Sequence, residues 1–153
     1  MSDRARLDLG NYLPYLVNRV GTAMVATFTA DALAAHDLSI DMWRVAVALA
    51  HGGELRQVDL SARTSIDAST MSRIVTRLVR VGLVTRSRSK TSSREVVVAL
   101  SPKGSALVAR LIPIAIELEQ TAIAGLPAKD VQALKRALRL VFDNLAKARQ
   151  VSG

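Results

Sequence analysis

Residues 67–104 read DASTMSRIVTRLVRVGLVTRSRSKTSSREVVVALSPKG, and this stretch decides the fold. Asp67 is a good N-cap, because its carboxylate can accept from the free N–H groups of a first turn. From Ala68 the apolar residues Met71, Ile74, Val75, Leu78, Val79 and Val81 keep helical spacing as far as Gly82, which suits the left-handed position closing a helix. Past Gly82 the period changes. Residues 83–86 form a short strand candidate, residues 87–93 a polar, basic loop, and residues 95–100 a β-branched run that reads as the returning strand. Together they predict a hairpin with an exposed tip. Ser101-Pro102 then marks a helix start, a cap followed by proline at the first helical position.

Working outward, residues 55–63 read as a helix of about two turns with Val58 and Leu60 as its apolar contacts, joined by the turn 64–66 to the helix above. Helix, tight turn and longer helix is the helix-turn-helix plan. Ser39 caps an earlier helix, residues 40–51, carrying Trp43, Val47 and Leu49 and stopped by Gly52-Gly53. Before it, residues 9–35 predict one long helix capped by Asn11, with Pro14 harmless in its first turn. Beyond Pro102 a helix runs to about residue 124 with Pro113 expected to kink it. Gly125-Leu126-Pro127 separates it from a last helix whose stripe is Val131, Leu134, Leu138, Val141, Phe142 and Leu145. The expected fold is mainly α with a small β-hairpin wing (α+β): a winged helix-turn-helix core flanked by long N- and C-terminal helices.

At 153 residues the chain can bury a real core. No run of 18 apolar residues lacks a charge and the N-terminus does not resemble a secretion signal, so a cytoplasmic protein without a membrane span is expected. Without cysteine there is no disulfide, thiol sensor or thiolate metal site. The net charge of +8 is unevenly placed: residues 52–104 hold ten Lys/Arg against four Asp/Glu, whereas residues 1–51 hold four against five. A basic surface that merely aids solubility explains such an excess as well as a phosphate-binding footprint does. Pattern has to decide between them.

The series Leu38-Ser39, Trp43, Leu60-Ser61-Ala62, the run from Ser69 through Leu78, Gly82-Leu83-Val84 and Leu100-Ser101-Pro102-Lys103-Gly104 resembles the multiple-antibiotic-resistance regulator (MarR) family. The resemblance implies a single domain over 1–153. Within it, residues 38–104 would be the winged helix-turn-helix DNA-binding lobe, and 7–36 and 102–149 the helices of a two-fold homodimer. It also implies a repressor of transcription released by a small aromatic or anionic effector. One departure concerns the wing, where the family carries Asp-x-Arg: here Ser92-Ser93-Arg94 keeps the arginine and replaces the acid, so Arg94 is expected to be held less rigidly.

On this reading Ser69, Thr70, Ser72, Arg73, Thr76 and Arg77 form the DNA-reading surface of the recognition helix, Arg73 and Arg77 sharing a face at i,i+4 spacing. Arg86, Arg88, Lys90 and Arg94 arm the wing for a narrow minor groove, and Arg56 and Gln57 anchor phosphates. The competing explanation is a solvated helix face and a soluble loop. Tyr12, Leu13, Leu16, Leu134, Leu138, Val141 and Phe142 are the expected dimer contacts, unless they close a monomer core. Met24, Phe28, Trp43 and Arg44 are candidate ligand-pocket residues that fit a packed core equally well. His36 and His51 lack the clustered partners a metal site needs, and no cofactor is expected. No G-x-S-x-G, P-loop or carboxylate pair supports an enzyme. The rival within DNA binding is an architectural or protein-interaction module without an effector.

Overall fold

Met71, Val75 and Leu78 are spaced four and three apart, and all three are fully buried on one side of helix α4, Ala68–Arg80. That spacing leaves Ser72, Arg73, Thr76, Arg77 and Arg80 exposed on the remaining surface, so one period writes both the packing and the polar face. The computed structural model describes residues 6–151. The chain divides into two compact units, residues 1–118 and 119–153.

In the first unit, α1 (Leu13–Phe28) carries Pro14 in its first turn, as expected. Its cap position is Tyr12, without a side-chain cap bond, whereas Asn11 donates its amide to Asp8 in a preceding 3-10 turn. The single helix expected over 9–35 is also interrupted. After Phe28 the chain widens into a π turn, Thr29–Leu33, tightens into a 3-10 turn, Ala34–His36, and reverses at Asp37 with φ +54°. The apolar period continues through these turns, which is why periodicity alone read them as α-helix. Helix α2 (Ile40–Gly52) starts as predicted, with the Ser39 hydroxyl accepting from the Met42 N–H at 3.2 Å, and ends at Gly53 with φ +71°.

The expected helix over 55–63 is part strand. Leu55–Arg56 is β1, and only Gln57–Thr64 is helical (α3). Leu60 is fully buried as expected, but Val58 is 64% exposed and contributes nothing to the core. A two-residue strand is too short to show an alternation; it exists because its backbone finds a partner. That partner is β3 (Val96–Leu100), which pairs antiparallel with β1 through Leu55↔Val98 and with β2 (Val84–Arg88) from Val84↔Leu100 to Arg88↔Val96. The predicted hairpin is therefore two strands of a three-stranded sheet, ordered β1-β3-β2. β1 covers the inner edge of β3 and joins the wing's base to α3.

Helix α4 closes as Gly82 demands: with φ +77° it donates to the Val79 carbonyl at 3.0 Å, and the Leu83 N–H reaches the Leu78 carbonyl at 3.0 Å. Helix α5 (Pro102–Ala122), which continues through Pro113, begins against this turn. Ser101 accepts from the Gly104 N–H at 3.0 Å and donates its hydroxyl to the Gly82 carbonyl at 2.6 Å, while its own N–H meets the Leu83 carbonyl at 3.0 Å. Ser101-Pro102-Lys103-Gly104 is thus a docking element as well as a helix start. The unit's core runs from Phe28 and Trp43, with ring centroids 5.1 Å apart, through Leu49, Leu60 and Leu78 to Leu107 and Leu111. Among the described residues it holds no buried polar or charged residue.

In the second unit, Gly125 (φ +84°) turns the chain into α6, Ala128–Val151. Glu119 and Lys135 form an ion pair. Val131 is its one buried hydrophobic residue among those described, while Leu134, Leu138, Phe142 and Leu145 lie exposed.

Candidate nucleic-acid interface

Asp67 organises the start of α4, accepting from the Thr70 N–H at 2.9 Å and from the Ser69 hydroxyl at 3.0 Å. The Thr70 hydroxyl, then its N–H, and the Ser69 hydroxyl hold the Asp67 carboxyl down at about 2 from its usual 3.8. All three bonds favour the charged form. A depressed folded-state pKa means the cap's contribution is present above the unfolded value and lost as pH falls through the folded one. Amide protection in the first turn of α4 is therefore expected to persist at pH 4 and to fail as pH approaches 2. Loss already at pH 4, measured by hydrogen exchange, would contradict this cap geometry.

Along the exposed face, Ser72, Arg73, Thr76, Arg77 and Arg80 line one shallow groove. Arg73 donates to the Thr70 hydroxyl at 3.2 Å, and Arg77 reaches Asp37 at 3.4 Å. Arg80 continues the stripe three residues after Arg77, on the same face. Arg80 is not among the expected reading residues, although the spacing 73, 77, 80 places it on the face of Arg73 and Arg77.

A side-chain hydrogen bond couples the wing to this face. Arg86 of β2 donates to the Thr76 hydroxyl at 3.2 Å, and Thr76 donates to the Ser72 carbonyl at 2.8 Å. Arg86 thus belongs to the helix groove more than to the wing tip. At the tip, Arg88 donates to the Ser93 carbonyl at 3.1 Å, and the Ser89 and Thr91 hydroxyls bond each other at 3.0 Å. Lys90 and Arg94 are exposed and have no hydrogen-bond or ion-pair partner among the described residues. Ser92 engages through its backbone, its carbonyl accepting from the Glu95 N–H at 3.2 Å, and does not orient Arg94.

Arg56 stands elsewhere. Its guanidinium pairs with Asp59 at 2.8 Å and with Glu95 at 2.8 Å, fastening the residue just before β3 to the start of α3. Asp59 first and then Glu95 raise its pKa above the already high arginine value, and Arg56 in turn lowers that of Asp59. With both carboxylates occupied by one cation, Arg56 is a clamp between α3 and the tip-side end of the wing hairpin. Gln57 begins α3 beside it, half-buried.

The four candidate pocket residues separate. Phe28 and Trp43 are core residues, 4% and 8% exposed. Met24 and Arg44 line an open groove with Asn18, Gly21, Thr22 and Ile40, and Arg44 is paired with Asp41 at 2.9 Å. The apolar positions proposed for subunit contact are uncovered: Tyr12 at the cap of α1, Leu13 and Leu16 on α1, and Leu134, Leu138 and Phe142 on α6, are 41–58% exposed, with Val141 half-buried. Among the described residues no group of three or more His, Asp or Glu is placed to hold a metal, and no helix is long and apolar enough to cross a membrane.

Comparison with known proteins gives one consistent answer. Residues 36–95 match the sequence pattern of the MarR family. The chain is 33% identical over 109 residues to the HTH-type transcriptional repressor IacR of Pseudomonas putida, a match spanning 71% of this chain and 65% of that repressor. The chain thus spans just under two thirds of that relative's length. Its fold is similar to Bordetella bronchiseptica BpsR, whose DNA binding is regulated by 6-hydroxynicotinic acid: 29% identity, TM-score 0.74, covering 84% of this chain and 97% of the other. A MarR family transcriptional regulator from Silicibacter pomeroyi superposes with TM-score 0.81 at 27% identity, covering 92% and 96% of the two chains.

Proposed function

The chain belongs to the MarR family, and from that premise we propose that it is a cytoplasmic transcriptional repressor, without enzymatic activity, that binds a pseudo-palindromic duplex site as a homodimer and is released by a small aromatic or anionic ligand. The observation that carries this reading is the groove of α4. Arg73, Arg77 and Arg80 present three guanidinium groups along one helix face, and Arg86 from the wing docks onto Thr76 within it. A helix seated in a major groove needs a side chain that can fork onto a guanine edge and neighbours that hold phosphates. Arg73, closest to the helix start, takes the first role; Arg77 and Arg80 take the second. Lys90 and Arg94, free at the wing tip, suit the negative potential of a narrow minor groove.

Residues 38–104 form the DNA-binding lobe in this proposal, and residues 7–36 and 102–149 supply the subunit contacts. Uncovered apolar faces on both α1 and α6 support that assignment, because a second copy is the simplest cover for them. The effector's place is the groove with Met24 and Arg44; Phe28 and Trp43 back the fold and leave the ligand untouched. BpsR's response to an aromatic acid supports the choice of ligand class.

Footprinting on fragments selected from a random pool tests the reading. Two protected half-sites about one helical turn apart are expected, roughly 10 base pairs centre to centre. Uniform coating would favour an architectural protein, and absence of protection would end the proposal.

A further inference from the structure

Two hydrogen bonds meet on the Thr76 hydroxyl. It donates to the Ser72 carbonyl at 2.8 Å, one turn back along α4, and accepts from Nη1 of Arg86 at 3.2 Å. A hydroxyl carries one proton and two lone pairs. While that proton is committed inside the helix, Thr76 can only accept from outside it. A phosphate oxygen is itself an acceptor, so the exposed Thr76 suits a guanidinium and not the DNA backbone, although its place on the α4 face marks it as a reading residue. Arg86 is fixed at its other end as well. Its backbone is the third of the five β2–β3 pairs, opposite the fully buried Val98. Of the four wing cations it alone bonds a side chain of α4 among the described residues. Arg88 turns to the Ser93 carbonyl, and Lys90 and Arg94 follow at the tip without partners. No carboxylate among the described residues pairs with Arg86, and Thr76 engages one of its five N–H donors.

Chain order gives that cation a place on DNA. With α4 in a major groove and the wing tip in the adjacent minor groove, the wall between them is a sugar-phosphate backbone. Arg86 stands between the two, bonded to α4 on one side and leading into residues 87–93 on the other. We propose that Arg86 holds a phosphate of the strand dividing the two grooves, and that Thr76 is the positioning residue that presents it. The assignment rests on the reading of α4 as a DNA-binding helix. A free arginine loses rotamer freedom when it meets a phosphate, whereas one already held loses less. The Thr76–Arg86 bond also sets the span from helix to wing, which has to match the span from groove to groove.

Thr76→Val removes the acceptor and Thr76→Ser retains it, both at an exposed position, so denaturant midpoints should match the parent's. Thr76→Val should weaken binding to a selected duplex about fivefold, and Thr76→Ser should bind like the parent. In an Arg86→Ala background Thr76→Val should add nothing, because no guanidinium is left to position. Duplexes carrying one neutral methylphosphonate at successive positions locate the contact. At one position in each half-site, between the α4 and wing footprints, the substitution should weaken the parent about tenfold and leave Arg86→Ala unaffected. A parent that binds no duplex ends the regulator reading, and this assignment with it. A parent that binds while Thr76→Val costs as much with Arg86→Ala as without it makes Thr76 a DNA contact, and this assignment alone fails. It fails equally if no methylphosphonate position distinguishes Arg86→Ala from the parent, or if Thr76→Ser binds as weakly as Thr76→Val.

Discussion

Gly104→Ala is expected to destabilise the first unit by roughly 3 kcal/mol or more, the scale reached when a packed interior is overfilled and cannot relax. A β-carbon at position 104 would fall on the Leu83 carbonyl oxygen, 2.9 Å from its carbon and 3.2 Å from a Leu100 methyl. Leu83 cannot yield easily. Its carbonyl accepts from the Ser101 N–H, its own N–H closes α4 through Leu78, and its side chain is buried. Moving α5 outward instead would break the Ser101–Gly82 and Lys103–Val81 bonds together. Against a total stability of about 5–15 kcal/mol for a domain, such a loss leaves little margin. Gly21→Ala is the control: nothing lies within 4 Å of a β-carbon there, in the middle of α1. It should be neutral or stabilising by up to about 1 kcal/mol. Denaturant midpoints for the pair decide the matter, and equal midpoints would mean that α5 is not seated against the Leu83 turn.

The same contact explains what was legible in the sequence. Gly82 and Ser101-Pro102 announce a helix end and a helix start through local chemistry, and both stand where local chemistry put them. Asp67 and Ser39 behave likewise, each accepting from the N–H three residues on. Gly104 is different: its necessity comes from the carbonyl of Leu83, 21 positions away, and no local rule requires it. β1 was missed for the same reason, since two residues have no pattern until β3 lies beside them.

The site divides along this line too. The spacing of Arg73, Arg77 and Arg80 follows from helix geometry and is legible in the sequence. The role of Arg56 is not. Its charge and exposed position suited a phosphate contact, but its partners are Asp59, three residues on, and Glu95, 39 positions away across the sheet. That clamp also bears on the missing wing acid. Glu95 sits one residue past Arg94, beyond the last β2–β3 pair, and its ion pair with Arg56 ties the tip-side end of the hairpin to α3, while Arg94 itself has no partner among the described residues.

Reversing two charges, in Arg77→Glu with Arg80→Glu, should lower affinity for every duplex by about a hundredfold or more, since each loses a phosphate contact and gains a repulsion. Neither change disturbs the core, because both side chains are exposed and, among the described residues, Arg77 has only the 3.4 Å side-chain contact to Asp37. The loss should show in the salt dependence. The slope of log affinity against log salt should become shallower by about one for each phosphate contact removed. Arg73→Ala should behave otherwise. Placed near the helix start and steadied by Thr70, it should cost about tenfold on the preferred site, little on random sequence, and leave the salt slope nearly unchanged. Arg94→Glu should resemble the phosphate class, with a smaller loss because nothing fixes its side chain. These assignments separate in one mobility-shift series with specific and random duplexes at several salt concentrations. If Arg73→Ala weakened both duplexes equally and flattened the salt slope, Arg73 would be a phosphate contact and base reading would have to come from another residue of the groove. If the paired reversal at Arg77 and Arg80 left random-sequence binding intact, the face of α4 would not meet the backbone, and the basic excess of residues 52–104 would return to being a soluble surface.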